Sequence, residues 1–210
     1  QVINLSLGRK ITTPAKFDAL VQAVEAASRA GVAVVVSAGN GGPKYASIST
    51  PGNAPSAITV GAADGKTTIT RDDDYVIGFS SRGPTWYDGL AKPDVVAPGV
   101  NLFSDAADGS ALALSAQQQT TPALTLYETI GTANLIRLSG TSMAAAVATG
   151  VVALEFDANL NQLTAPLTPN TAKAILEYTA VKVAKADALT QGAGQINGAG
   201  AELLAGSVDT

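Results

Sequence analysis

Histidine and cysteine are both missing from this chain of 210 residues. Without cysteine there can be no disulfide, no thiolate metal site and no cysteine nucleophile, and the redox compartment stays undetermined. Without histidine the chain has no imidazole, which is the commonest general base near neutral pH. Chemistry that needs such a base must obtain it from outside these residues.

Charged residues and long apolar runs are also scarce. Charged side chains make up 14% of the sequence and the net charge is −4, so no basic surface is expected and nucleic acid is excluded as a partner. Apolar runs such as Val32–Val36 are far shorter than the roughly 20 residues that span a bilayer. The sequence therefore predicts no membrane-spanning helix and no membrane partner.

Strand and helix patterns alternate along the first part of the chain. Val2–Ser6 and Val32–Val36 are apolar runs typical of buried strands, and a helix is predicted between them. Thr13-Pro14 is predicted to cap that helix and Gly31 to end it. A strand, a helix and a strand within about 35 residues predict a βαβ unit with parallel strands.

The remaining elements extend this pattern, with one interruption between about 105 and 139. Predicted are strands at Ala57–Gly61 and Pro93–Ala97, an exposed glutamine-rich loop at Ser110–Thr121, an antiparallel hairpin from Ala123–Thr129 and Ala133–Leu138, and helices at Ser142–Leu154, from Thr168-Pro169 and at Asn197–Leu204. Because the chain opens on a strand already under way, we expect a three-layer α/β domain with a parallel sheet, missing its N-terminal portion.

One short stretch combines polar residues with the start of a buried helix. Ser139-Gly140-Thr141-Ser142 runs directly into a row of small apolar residues. Hydroxyls at such a position are typical of helix caps. A serine held there could also be a nucleophile, because the N–H groups of the first helical turn face developing negative charge. The stretch alone leaves both interpretations open.

Six segments together resemble the subtilisin-like serine proteases, the subtilase family, and they occur in the order that the family has. They are Val2–Gly8, Val36–Asn40, Phe79–Pro84, Lys92–Gly99, Gly140–Ala144 and Gly192–Asn197. The resemblance covers most of the chain and implies a subtilisin-like fold and a serine endopeptidase. Its substrate would be a protein or peptide.

The resemblance also implies roles for particular residues. Ser142 would be the nucleophile, and its N–H together with the Asn40 amide would form the oxyanion hole. Ser6-Leu7-Gly8 and Ser37-Ala38-Gly39 would form the two walls of the substrate cleft. Ser49 would form the floor of the pocket for the residue before the scissile bond. Gly41, where some relatives carry an acid, implies an uncharged pocket.

Departures from the family pattern leave two alternatives open. The family supplies its triad in the order Asp, His, Ser, so the first two would lie upstream of Gln1. Ala146 and Val147 replace the family's Pro and His after the nucleophile. A catalytically inactive relative that serves as a binding or structural module is one alternative. A sedolisin-like protease with a glutamate base is the other, although Asn40 favours the subtilisin branch.

Several further expectations follow from this interpretation. Residues 1–210 would be the C-terminal part of one peptidase domain with an insertion at about 105–139. The missing N-terminal part of the same domain would be a partner of this chain. No metal ligand is assigned, because Asp72-Asp73-Asp74 lacks the spacing of a calcium loop and Asp94 is interpreted as closing a strand loop. A structural calcium ion is left open. The family resemblance implies secretion.

Overall fold

The computed structural model describes residues 1–118, 127–130, 133–162 and 167–209. Its strands are β1 (Val2–Leu5), β2 (Arg9–Lys10), β3 (Ala33–Ser37), β4 (Ser49–Thr50), β5 (Ile58–Asp64), β6 (Tyr75–Val76), β7 (Val95–Pro98), β8 (Leu102–Asp105), β9 (Tyr127–Ile130) and β10 (Ala133–Leu138). Its α-helices are α1 (Ala19–Arg29), α2 (Ala111–Gln118), α3 (Thr141–Gln162), α4 (Pro169–Thr179), α5 (Ala188–Gln191) and α6 (Gly198–Ala205).

The central sheet is mainly parallel. β1 pairs with β3, β3 with β5 and β5 with β7, all in parallel, and the short β6 pairs antiparallel with the end of β5. Val2 lies opposite Ala33, and Val35 lies opposite Ile58. The prediction that the first three apolar runs are adjacent parallel strands is therefore confirmed. The prediction that the first run is a buried strand is wrong, because β1 lies at the edge of the described sheet and is only partly buried.

Helices cover both faces of this sheet. Alternate residues of β3 point to opposite sides: Val34 and Val36 pack in the cluster that contains Val21 and Val24 of α1. Val35 belongs to the larger cluster formed with α3, α4 and α6. Burial on both faces explains why β3 is apolar without alternation. The result is the three-layer α/β arrangement that the sequence predicted.

The start of α1 differs from the prediction. A short 3₁₀ turn at Ala15–Phe17 follows Pro14, and Asp18 caps α1 by accepting a hydrogen bond of 2.9 Å from the Leu20 N–H. The same buried carboxylate accepts from Arg9 at 2.9 Å and from the Thr50 hydroxyl at 3.0 Å. The predicted cap, Thr13, is therefore wrong. Asp18 caps α1 instead, because Arg9 and Thr50 hold its carboxylate at the start of this helix.

The segment between β7 and α3 contains more structure than expected. Ala111–Gln118 forms α2, so the prediction of an exposed loop there is wrong. The predicted antiparallel hairpin is confirmed for β9 and β10, and β8 adds a third strand on the other side of β10. Residues 123–126 of the predicted first hairpin strand lie outside the described residues.

The longest helix, α3, is built largely from small residues. Ala144, Ala145 and Ala148 are fully buried, and the helix packs against β3, β5 and α6. Residues 141–160 are long and apolar enough to cross a membrane, with a mean hydropathy of 1.3, which the sequence interpretation overlooked. Core helices of globular proteins share these properties. The opposite face of α3 is exposed, with Leu154 and Leu160 pointing outward.

A carboxyl group lies in the core on α3. Glu155 is fully buried, and neither of its oxygens has a hydrogen-bond partner within the described part of the chain. Burial raises the pKa of this carboxyl to about 8, from a usual value of 4.5, because desolvation disfavours the charged form. The folded protein therefore holds the Glu155 proton more tightly than the unfolded chain does.

We expect Glu155→Gln to change how stability depends on pH. Since the folded-state pKa is raised, the free energy of unfolding should fall as pH rises from about 4.5 towards 8. The variant lacks this titration, so at pH 8 its Tm should exceed that of the parent by about 4 °C or more. Thermal unfolding between pH 5 and pH 8 measures the effect. The exposed Glu202→Gln is the matched control, and an equal pH slope for parent and Glu155→Gln would contradict the prediction.

Candidate active site

Ser142 lies in the first turn of α3, at the carboxyl end of β1. Its hydroxyl donates to the carbonyl oxygen of Ser6 at 3.4 Å, and the Ser6 hydroxyl donates to the Ser142 carbonyl at 2.8 Å. These contacts link the helix start directly to the loop after β1. The carboxyl ends of parallel strands are where α/β folds place ligands and chemistry.

Asn40 lies in the loop after β3 and contacts the same helix start. Its side-chain oxygen accepts from the Thr141 N–H at 3.0 Å and from the Thr141 hydroxyl at 2.9 Å. The Thr141 hydroxyl in turn accepts from the Gly39 N–H at 3.2 Å. A backbone N–H can only donate, so the Asn40 atom that faces it must be the oxygen. The amide NH₂ is therefore left on the side away from Thr141.

Two N–H donors border a common space beside Gly140. The Asn40 amide nitrogen lies 3.5 Å, and the Ser142 backbone nitrogen 3.8 Å, from the point that a Cβ on Gly140 would occupy. Neither donor has an acceptor within the described part of the chain. Two unpaired donors that converge beside a serine hydroxyl are the arrangement that binds an oxyanion in acyl transfer.

A cleft of about 1080 Å³ extends from this point. Gly8 and Gly39 flank Ser49, whose hydroxyl lies 2.6 Å from a Cβ built on Gly8 and 2.7 Å from one built on Gly39. A side chain at Gly8 or Gly39 would therefore collide with Ser49, so each wall of the cleft needs glycine at this point. Of the predicted site residues, those that line the cleft are Ser6, Leu7, Gly8, Ser37, Gly39, Asn40, Ser49 and Ser142.

Comparison with known proteins identifies the family. The family model described as "Subtilase family" matches residues 1–200 of this chain. The chain belongs to the subtilase family. The resemblance on which the site residues were predicted is therefore confirmed at the level of the family.

Individual relatives agree with this assignment. The chain is 41% identical over 180 residues to the serine protease AprX of Bacillus subtilis strain 168, a match that covers 86% of this chain and 37% of AprX. It is 34% identical over 174 residues to pyrolysin of Pyrococcus furiosus, covering 73% of this chain and 11% of pyrolysin. This subtilase chain therefore spans well under half the length of these relatives.

A solved structure supports the fold. The patellamide maturation protease PatA superposes on 99% of this chain and on 64% of its own chain, with a TM-score of 0.70. The sequence identity is 24%, so this similarity concerns the fold alone. The subtilisin-like architecture, a parallel sheet between helices, is thereby confirmed.

Ala38 and the neighbourhood of Ser49 differ from the sequence interpretation. Ala38 is fully buried, and its carbonyl accepts from the Ser49 N–H at 2.9 Å and the Ser49 hydroxyl at 3.2 Å. It supports the floor of the cleft but does not line it. Lys10 lies opposite Ser49 in the β2–β4 ribbon and lines the same cleft, a neighbour of Ser49 that the sequence did not indicate.

Sequence reasoning also missed Thr141 as a partner of Asn40. Thr141 is almost fully buried, and its hydroxyl bridges Gly39 and Asn40 although it lies about a hundred positions further along the chain. The only signal in the sequence was its place directly before Ser142. A threonine there could equally have been interpreted as a helix cap.

Asp94 is held by two lysines. Lys92 and Lys173 contact its two carboxylate oxygens at 2.7 and 2.8 Å, and the Thr59 N–H donates to it at 2.6 Å. Burial lowers the pKa of the Lys92 ammonium to about 8, although the charge of Asp94 opposes this shift. Each carboxylate oxygen of Asp94 therefore faces one ammonium group.

The acidic run at Asp72-Asp73-Asp74 makes contacts of its own. The Asp73 carboxylate accepts from the Thr68 hydroxyl at 2.8 Å, and Asp74 is buried. Within the described residues, no three acidic side chains are grouped so as to hold a metal ion.

Substitution of Gly39 tests the tight wall of the cleft. Gly39 has φ of +106°, and a Cβ there would lie 2.7 Å from the Ser49 hydroxyl and 2.9 Å from the Ser81 hydroxyl. We expect Gly39→Ala to lower the free energy of unfolding by about 3 kcal/mol, measured by urea denaturation.

Gly31 offers a matched control for this change. It has φ of +85° but open space around it, so Gly31→Ala should cost only the backbone term of about 1 kcal/mol. If Gly39→Ala lowered the free energy of unfolding no more than Gly31→Ala does, the prediction would be wrong. The Ser49 and Ser81 hydroxyls would then move away from the new Cβ at little cost.

Proposed function

We propose that the whole protein is a serine endopeptidase in which Ser142 attacks the peptide carbonyl. The Asn40 amide and the Ser142 N–H stabilise the oxyanion, and an Asp and a His upstream of Gln1 complete the triad. The observation that carries the proposal is the convergence of two unpaired N–H donors beside the Ser142 hydroxyl. Peptide and protein substrates would lie between the walls at Ser6–Gly8 and Ser37–Gly39.

The geometry of the oxyanion donors supports this function. The Asn40 oxygen is held by two hydrogen bonds from Thr141, so the amide NH₂ is oriented before substrate arrives. Preorganised donors need no reorientation as charge develops, which is the basis of their contribution to catalysis. A helix start adds the partial positive charge of its unpaired N–H groups.

The absence of histidine from this chain supports the proposal that the other triad residues come from an upstream segment. A serine hydroxyl is a poor nucleophile until a base takes its proton, and this chain contains no histidine. In the described residues the Ser142 hydroxyl contacts only a backbone carbonyl, which cannot act as that base.

Two surfaces fit the place of the upstream segment. β1 pairs on one side with β3, and the described residues provide no strand for its other edge. Beside it, the outward face of α3 exposes Leu154 and Leu160 to about half or more of their surface, at 48% and 62%. An open strand edge beside an exposed apolar helix face is what a missing part of the same domain would cover.

The first test uses a fluorophosphonate probe that labels activated serines. Residues 1–210 alone should show no labelling of Ser142 and no measurable peptide hydrolysis. Removal of the base costs about 10⁶-fold in turnover in subtilisin, the relative in which this figure was established. Addition of the upstream segment, in cis or as a separate chain, should restore both signals.

Two serine variants control this experiment in the full-length protein. Ser142→Ala should abolish labelling and hydrolysis, whereas Ser207→Ala, at an exposed position on the far side of α6 in sequence, should leave both unchanged. Rapid labelling of the isolated chain would contradict the proposal, and so would proteolysis that survives Ser142→Ala. A full-length protein that is never labelled would favour the inactive binding module instead.

The second test concerns the oxyanion donors. Asn40→Leu in the full-length protein should lower kcat by about 10²–10³-fold, the range found in subtilisin for the loss of one such donor, with little change in KM. Thr141→Val keeps the shape of Thr141 but removes its hydroxyl. It should lower kcat about tenfold, because the Asn40 oxygen loses one of two donors.

Thr141→Ser is the matched control, since it restores the hydroxyl and should recover most of kcat. Thermal unfolding of each variant separates this effect from instability, because Asn40→Leu also removes a helix-capping contact worth about 1 kcal/mol. Unchanged kcat in Asn40→Leu would exclude the oxyanion role.

A further inference from the structure

We propose that Lys10 makes the substrate pocket selective for an acidic side chain in the residue before the scissile bond. This inference rests on the proposed function and names a substrate class for the same cleft. It depends on the register of the β2–β4 ribbon, on the charges that line the cleft and on the contacts of Arg9.

The register of the ribbon places Lys10 on the pocket side. In the antiparallel pair, Arg9 lies opposite Thr50 and Lys10 lies opposite Ser49. Directly opposed residues project from the same face of a ribbon, and successive residues project from opposite faces. Arg9 and Thr50 do share a face, because both donate to the carboxylate of Asp18, at 2.9 and 3.0 Å. Lys10 and Ser49 therefore project from the other face.

That other face is the floor of the cleft. The Ser49 hydroxyl lies between Gly8 and Gly39, within 2.7 Å of a Cβ built on either glycine. Lys10 is exposed and lines the same cleft as Ser142 and Asn40. A side chain that enters the pocket would thus approach both the Ser49 hydroxyl and the Lys10 ammonium.

The charge of this cleft is positive, although the chain as a whole carries −4. Among the described residues that line the cleft, none is Asp or Glu, whereas Arg9 and Lys10 both contribute. Arg9 is neutralised by its ion pair of 2.9 Å with Asp18. Lys10 forms no ion pair with any described residue. Its ammonium is the charge left to pair with a carboxylate of the substrate.

Binding to inactive full-length protein tests this inference without requiring turnover. Two peptides that differ only in Glu or Gln before the scissile bond are titrated into full-length Ser142→Ala by calorimetry. We expect about tenfold tighter binding of the Glu peptide, a typical effect of one charge-assisted contact. The ratio should fall towards one in the Lys10→Met background and with increasing sodium chloride, and it should persist in Lys10→Arg.

Charge reversal gives the sharpest comparison. Lys10→Glu should favour a peptide with Lys at this position, whereas Lys185→Glu makes the same change in net charge at a residue that lines a different cavity and should alter nothing. Equal binding of Glu and Gln peptides, or a preference that survives Lys10→Met, would overturn the inference. Hydrolysis of the same peptides by parent protein is measured in parallel. Absence of hydrolysis together with Lys10-dependent binding would contradict the proposed function and leave the pocket assignment standing.

Discussion

The Thr141 hydroxyl and the Asn40 side-chain oxygen join the end of β3 to the start of α3. Three hydrogen bonds meet there: Gly39 N–H to the Thr141 hydroxyl, and the Thr141 N–H and hydroxyl to Asn40. β3 is buried on both faces and α3 is packed into the core, so both ends of this junction are fixed by their own elements. These hydrogen bonds hold the Asn40 amide beside Ser142, although Asn40 itself lies in a loop.

Small residues allow α3 to approach the sheet closely enough for this junction to form. Ala144, Ala145 and Ala148 bury the inner face of the helix. At the end of β7, a Cβ on Gly99 would lie 2.7 Å from the Cβ of Ala62 and 3.1 Å from that of Ala144. The Gly99 carbonyl also accepts from the Gly140 N–H at 2.8 Å. Larger side chains at these positions would push the helix start, and Ser142 with it, away from the cleft.

The two buried carboxyl groups of Asp94 and Glu155 have different surroundings. Asp94 is compensated by two ammonium groups and by the Thr59 N–H, so its charge is retained in the interior. Glu155 has no partner within the described part of the chain, and its pKa rises to about 8 because burial favours the neutral acid. The two buried carboxyl groups therefore differ in their compensation: Asp94 is paired with ammonium groups, whereas Glu155 is not.

The sequence by itself determined the features that depend on neighbouring residues. Apolar runs predicted β1, β3 and β5 as parallel strands, of which β3 and β5 are buried. Thr168-Pro169 predicted the start of α4, whose cap hydroxyl accepts from the Thr171 N–H. The order of short motifs along the chain was enough to identify the family and to name Ser142 and Asn40 as candidate site residues.

Only the tertiary structure decided which distant groups meet. Thr141 reaches Asn40 across 101 positions, Asp18 becomes the cap of α1 because Arg9 and Thr50 hold its carboxylate, and Lys10 faces Ser49 through strand register. Hydrophobic periodicity arises from local geometry and is visible in a single sequence, whereas register and side-chain partners depend on how separate elements pack.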